Sequence, residues 1–243
     1  MRRLIRFSPE ESLLAILQRH QREVDFGKSD VEDEWNRFRG TVAYKAIRQA
    51  LAVEAGDRER CFYCSDSLGT DIEHFRPKIK FAAYAFKYTN FLLVCSACNR
   101  AKASKFPMDE EDFPLLIDPT WDDPWDSLFL DDQTGLIVPR INPEGNVSAK
   151  GSATIDILGN IVNRDSVALG RKGGWDAIVK EFRRICDNNS SLDDIHIVMA
   201  GLLSEDRYGL LAWMLRREGS ECRDVQRIRN RCPELWRNLR DSI

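Results

Sequence analysis

Four of the seven cysteines stand in two pairs, Cys61-Phe62-Tyr63-Cys64 and Cys95-Ser96-Ala97-Cys98, with thirty residues between them. Two such CxxC knuckles supply four thiolates, the donor set of a closed tetrahedral zinc site with Zn–S near ~2.3 Å and no open position. A site of that kind clips the ends of the intervening loop together, and metal binding becomes folding free energy. Inside the loop, Asp71-Ile72-Glu73-His74-Phe75-Arg76-Pro77-Lys78 sets a carboxylate beside an imidazole. Asn90 follows His74 by sixteen residues, Asn99 follows Asn90 by nine, and Lys102 and Lys105 trail behind. Histidine is the usual general base near neutral pH, and oxygen donors suit magnesium or manganese.

The elements that must position these residues are legible in outline. Ser8-Pro9-Glu10-Glu11 reads as a helix start with a Ser cap and Pro in the first turn. Leu13, Leu14, Ile16, Leu17 and Val24 then recur at helical spacing. Ser29-Asp30-Val31-Glu32 repeats the capping pattern, and Trp35, Phe38, Val42, Ala46, Ile47 and Leu51 predict one second helix to about residue 54, closed by Gly56-Asp57. Between 61 and 106 the period shortens. Phe62–Cys64, Asp71–Phe75 and Phe91–Cys95 read as short extended segments, Pro77 stops the middle one, and Asn99–Lys105 reads as a helix. The order strand, strand, helix results. Neighbours on a strand face opposite sides, so Glu73 and His74 share a site only where the strand bends or ends.

Residues 107–127 are broken by Pro107, Pro114, Pro119 and Pro124. Leu128–Leu130 and Leu136–Val138 around a Gly-containing loop predict a β-hairpin. Helical spacing resumes near residue 152, with Trp175, Ile178, Val179 and Phe182 on one helix, Ile195–Leu203 on another and Tyr208, Leu211, Ala212 and Leu215 on a third. The tail from 224 to 240 is arginine-rich and its face is as well explained by solvent as by a phosphate backbone. The expected fold is α+β and mainly helical, in four segments: N-terminal helices over 1–60, a zinc-clamped unit over 61–108, an acidic connector with a hairpin over 109–150, and C-terminal helices over 151–243.

A zinc-clamped ββα unit carrying Glu73-His74, Asn90 and the Cys95-Ser96-Ala97-Cys98-Asn99-Arg100-Ala101-Lys102 string resembles the HNH endonuclease family. The resemblance implies that His74 is the general base, that Asn90 fixes it through hydrogen bonds across the loop, and that Glu73 with Asn99 holds a catalytic Mg²⁺ or Mn²⁺. Arg76, Lys78, Lys102 and Lys105 become candidates for nucleic-acid contacts. The family often has His where Asn99 stands, which leaves a weaker metal ligand. Over about two-thirds of the chain, the opening Met1–Phe7, the Glu-His-Phe-Arg-Pro-Lys string, Leu116-Ile117-Asp118-Pro119 and Thr154-Ile155-Asp156-Ile157-Leu158 resemble the HNH proteins of Septu-type and retron-linked anti-phage systems. That likeness implies an SMC/ABC-like ATPase partner that restrains or licenses cleavage. Two alternatives remain open: a zinc-dependent module that binds nucleic acid or the ATPase without catalysis, and a stand-alone HNH restriction nuclease.

Length and composition set outer bounds. A chain of 243 residues with 43% hydrophobic and 31% charged side chains is long enough for a substantial core and excludes collagen, mucin-like stalks and wholesale disorder. No apolar stretch approaches the ~18 residues of a membrane span, and the opening lacks the apolar core of a signal peptide, so a cytoplasmic, membrane-free protein is expected. The net charge of −3 hides a contrast. Residues 61–108 carry seven basic and three acidic side chains, whereas 109–147 carry one and eleven. The acidic block reads either as a solvated loop or as a segment that shields the cleft or docks a basic partner. His20 reads as a surface residue, His196 as a core histidine, and Cys186, Cys222 and Cys232 as packing thiols.

Overall fold

The computed structural model describes residues 1–187, 192–206, 208–231 and 233–242. Helix α1 (Glu11–Asp25) begins past Ser8, with Glu10 at its cap and no side-chain cap bond. The chain before it is held extended on a later helix: Glu54, 5% exposed, accepts from Arg6 Nη1 at 3.0 Å, Phe7 N at 3.0 Å and the Tyr88 hydroxyl at 2.8 Å. Asp30, rather than Ser29, caps α2 (Val31–Arg39) by accepting from Glu32 N at 2.7 Å.

The single helix expected to reach residue 54 is two. Gly40-Thr41 interrupts it, and the Thr41 hydroxyl takes Tyr44 N at 3.2 Å to cap α3 (Val42–Ala55). The break rotates Val42 off the buried face to 83% exposure, while Phe38, Ile47 and Leu51 are fully buried. Burial of each such side chain contributes roughly 1.5–3 kcal/mol.

Strand β1 (Asp71–His74) pairs antiparallel with β2 (Phe91–Val94), Asp71 opposite Val94 and His74 opposite Phe91. Two 3₁₀ turns, Ala82–Tyr84 and Tyr88–Asn90, lie between them, and α4 (Ser96–Lys102) follows directly. Strand, strand, helix is therefore the observed order. Phe62–Cys64 is a tight turn instead of a strand, because the chain must double back to aim both sulfurs inward; Cys61 N reaches Ser67 O at 2.9 Å and Phe62 N reaches Leu93 O at 2.8 Å. Helix α4 ends at Lys102, three residues short of Lys105, with Ala103 at its cap at φ +45°.

Helix α5 (Pro124–Ser127) leads into the expected hairpin, β3 (Leu128–Leu130) with β4 (Ile137–Pro139). Its loop needs glycine at 135: φ is +77°, and a Cβ there would stand 2.1 Å from Ala168 O. The C-terminal part is α6 (Ala149–Val162), α7 (Asp165–Asp187), α8 (Leu192–Glu205), α9 (Leu210–Arg216), a 3₁₀ turn Glu218–Glu221, α10 (Arg223–Arg231) and α11 (Pro233–Ser242). Trp175, Ile178, Val179 and Phe182 are buried on α7 as their spacing predicts. Helix α6 packs on α4 and β4, so the C-terminal helices buttress the cysteine unit. Arg171, fully buried, ties them to the hairpin by donating to Gly135 O and, at 2.7 Å, to Val162 O.

One core takes members from all four sequence segments, from Met1 through Phe62 and Leu128 to Trp236. The fold is α+β and mainly helical, and among the described residues no helix is long and apolar enough to cross a membrane. His20 corrects its surface assignment. It is 8% exposed, its Nδ1 lies 2.5 Å from Glu34 Oε1, and its ring stacks on Phe86 at 5.3 Å. The side chains of Cys186 and His196, and residue Cys232, lie outside the described residues.

Candidate functional site

The two knuckles converge. The Sγ atoms of Cys61, Cys64, Cys95 and Cys98 all lie within 4.8 Å of one another, all four residues are buried, and none is in a disulfide. Cys64 and Cys95 approach to 4.0 Å, close to the ~3.8 Å edge of a tetrahedron built on a Zn–S bond of ~2.3 Å. Cys95 comes from the residue preceding α4 and Cys98 from its first turn, so the helix start presents both sulfurs. Hydrogen bonding from Cys61 drives Cys64 down and Cys95 to about 7, while burial drives Cys61 up. Four thiols so close, and so buried, become four thiolates only with a cation between them. The cluster can hold a zinc ion.

The second group is open. Glu73, His74 and Asn99 line one cavity of about 220 Å³ with Pro77, Lys78, Ile79, Ala103 and Ser104. Because β1 ends at His74, the alternation that would separate neighbouring side chains stops there, and both reach the same space. The imidazole is 5% exposed and boxed by Trp35 at 4.3 Å and Phe91 at 5.3 Å between ring centroids. Its Nε2 lies 2.9 Å from Ala85 O. A carbonyl only accepts, so Nε2 carries the hydrogen and Nδ1 keeps its lone pair. Burial pulls His74 down to about 3, with Lys78 and Lys102 adding to the effect and the Ala85 bond opposing it. The ring is therefore neutral at physiological pH.

Asn99 donates Nδ2 to Asp71 Oδ2 at 3.0 Å, which leaves its Oδ1 available. Glu73 accepts Lys102 Nζ on Oε1 at 2.6 Å. Burial raises Glu73 and lowers Lys102, and each counters the other's shift. Lys102 thus departs from its expected place on a phosphate. It is fully buried and also donates to His74 O at 2.7 Å, since the inward turn at the end of α4 carries its stem beneath β1. Lys78 does line the cavity, 3.9 Å from Glu32, whereas Lys105 is exposed and lies outside it.

Asn90 makes its side-chain hydrogen bonds to the backbone of the loop and not to the imidazole. Its Oδ1 accepts Arg76 N at 2.8 Å, and its Nδ2 donates to Arg76 O and Tyr84 O, both at 3.0 Å. It staples the two ends of the loop whose next residue, Ala85, fixes the histidine tautomer. Arg76 lies on the other side of this staple, with its guanidinium over the rings of Phe81, Tyr84 and Phe106. The Trp35 wall, the Ala85 carbonyl and the Lys102 ion pair escaped the sequence. Trp35 carried a signal as a helical-face aromatic, but nothing in one dimension shows that α2 packs its face on His74.

Part of the acidic connector is engaged within the fold. Asp118 accepts Thr120 N at 2.9 Å, Asp122 pairs with Lys150 at 3.0 Å, and Asp123 and Asp126 both meet Arg217. Compared with known proteins, the chain matches no family model, and no curated protein matches it.

Proposed function

We propose that the protein is a metal-dependent endonuclease of the HNH type that hydrolyses phosphodiester bonds in nucleic acid, with DNA favoured over RNA. The observation that supports this most directly is one cavity shared by Glu73, His74 and Asn99, at the end of a β-hairpin followed by a helix and anchored on four cysteines. Binding alone requires none of these three side chains to converge.

In this mechanism His74 acts through Nδ1. A water in the cavity gives its proton to that nitrogen as its oxygen bonds to phosphorus, and the bond from phosphorus to the leaving sugar oxygen breaks. The Ala85 carbonyl holds the ring in the required tautomer, and the bond strengthens as the ring becomes cationic. A substrate phosphate in the cavity raises the depressed His74 basicity, because an anion nearby favours imidazolium. Glu73 Oε2 and Asn99 Oδ1 fit a hard cation that retains several waters. Bound there, Mg²⁺ or Mn²⁺ supplies charge stabilisation for the phosphoryl group and leaving oxygen. Zinc in the cysteine cluster is structural, a saturated site with no position for substrate.

One observation favours the second reading, a zinc-dependent binding module: Lys102 already holds Glu73 Oε1. The likeness to anti-phage HNH proteins adds an SMC/ABC-like ATPase as the partner that licenses cutting. The deciding experiment incubates purified protein with supercoiled plasmid and with total tRNA in Mg²⁺ or Mn²⁺, His74→Ala alongside. Cleavage by the wild type alone supports the nuclease and identifies its polymer. Cleavage by both, or by neither even with the ATPase present, overturns it.

A further inference from the structure

Beside the His74 cavity, on the far side of the Asn90 staple, lies a larger one of about 640 Å³, lined by Arg76, Tyr84, Phe113, Asp118, Trp121 and Lys150 among others. Its volume is in the range of small-ligand sites. Three carboxylates line it, two holding hydrogen bonds within their own turns and one paired with Lys150. Asp109 Oδ1 accepts Glu111 N at 3.0 Å and Phe113 N at 2.8 Å, Asp118 Oδ1 accepts Thr120 N and its hydroxyl, and Asp122 holds Lys150 through both oxygens at 3.0 Å.

Arg76 is different. Its guanidinium makes no hydrogen bond or ion pair among the described residues, and it lies 5.2–5.6 Å from the centroids of three aromatic rings. Stacking of that kind fixes the plane of the fork while leaving its five donors available for an anion. The main chain on either side of it is pinned by Asn90. Arg76 is therefore a pre-oriented cation without an ion-pair partner among the described residues.

The aromatic rim has a second peculiarity. Trp121 is 81% exposed and Phe113 is 61% exposed. Trp121 is carried on a turn closed by Trp121 N and Asp122 N on Asp118 O, at 3.0 and 2.7 Å, and by Asp118 N on Asp122 Oδ2 at 2.8 Å. A large indole held in water on a rigid turn is a stacking surface whose ordering cost is met in folding rather than in binding.

We propose that this cavity binds one unstacked nucleotide of the substrate, its phosphate on Arg76 and its base against Trp121 and Phe113. Arg76 follows His74 by two residues, so their Cα atoms are at most about 7.2 Å apart. The occupant is thus a neighbour of the cleaved bond, and the substrate is single-stranded or has a base swung out of the duplex. This rests on the nuclease reading for its biological meaning, but its test does not depend on cleavage.

The zinc-loaded full chain is titrated calorimetrically with deoxyadenosine monophosphate, deoxyadenosine and inorganic phosphate. The monophosphate binds at least about tenfold tighter than inorganic phosphate, the amount one stacked base contributes, and tighter than deoxyadenosine, which lacks the group that Arg76 takes. Trp121→Ala, which removes a side chain already in solvent, abolishes the advantage over phosphate. Arg76→Gln abolishes the advantage over deoxyadenosine, and Arg76→Lys, which keeps the charge, restores part of it. Equal affinity for monophosphate and fragments, no saturable binding, or binding indifferent to both Trp121→Ala and Arg76→Gln overturns the proposal. Nucleotide binding without plasmid or tRNA cleavage removes the nuclease and keeps the subsite; cleavage without nucleotide binding does the reverse.

Discussion

The cysteine cluster and the His74 cavity sit at opposite ends of the same short β-hairpin, yet they are built on opposite principles. At the cluster, four soft donors face one another in a buried site and leave nothing for a substrate. At the cavity, a neutral imidazole, an amide and a carboxylate face an opening, each with one atom engaged and one free. A saturated site makes its best contribution to folding, and an unsaturated one makes its contribution to chemistry. Under the proposed function, their separation leaves the hairpin rigid at one end and reactive at the other.

Removing the clamp should produce the largest effect. Structural zinc in small peptides contributes roughly 10–16 kcal/mol, comparable with the ~5–15 kcal/mol stability of an entire domain. Cys98→Ser or strong chelation is therefore expected to unfold the unit, seen as loss of the cooperative thermal transition and of bound zinc. A stable, zinc-free Cys98→Ser protein would erase the contrast between the two ends.

The buried ion pair tests how the cavity is wired. Lys102→Met leaves Glu73 without its cation and should cost about 3–5 kcal/mol in denaturant unfolding. Millimolar Mg²⁺ should recover part of the loss if Glu73 is a cation ligand. No recovery, with wild-type stability also unmoved by Mg²⁺, would separate Glu73 from metal binding.

His74→Ala should leave zinc content intact and lower the rate of strand cleavage by about 10²–10⁴-fold, the contribution of a positioned general base. A variant that lost zinc as well as cleavage would merge the two ends of the hairpin into one structural unit.

The smallest effect concerns the wall behind the cavity. Glu34 is buried, and the His20 hydrogen bond and Arg37 outweigh burial to pull it below its ordinary value of 4.5. A carboxylate with a lowered folded pKa contributes stability above its unfolded value and loses it as pH falls through the folded one. Acid unfolding of the wild type should therefore steepen below about pH 4.5, and Glu34→Gln should flatten that limb at a cost of about 1 kcal/mol near neutrality. An unchanged acid limb would remove Glu34 from the support of α2, and with it the Trp35 wall of the site.

Several elements could be read in advance because their signals are local. The hairpin from Leu128 to Pro139 follows from apolar triplets around Asp131–Gly135, and the α7 core face follows from the spacing of Trp175, Ile178, Val179 and Phe182. Elements decided by distant contacts depart from their local pattern. Ser8 lost its helix cap because Glu54 holds residues 6 and 7 extended. His20 left the surface because Glu34 and Phe86 enclose it. The acidity of residues 109–147 could be counted, but its engagement with Lys150 and Arg217 could not.

By itself, the sequence determined which donor groups this protein brings close together along the chain. Four thiols at CxxC spacing must meet when a loop closes, and a strand ending at Glu73-His74 puts oxygen and nitrogen donors side by side. Only the tertiary structure decided which atoms remain free to act. The Ala85 carbonyl selects the imidazole tautomer, Lys102 occupies one carboxylate oxygen, and three rings hold Arg76 without an anion. These are contacts between segments far apart in the chain, and protonation and hydrogen-bond capacity depend on neighbours in space rather than in sequence.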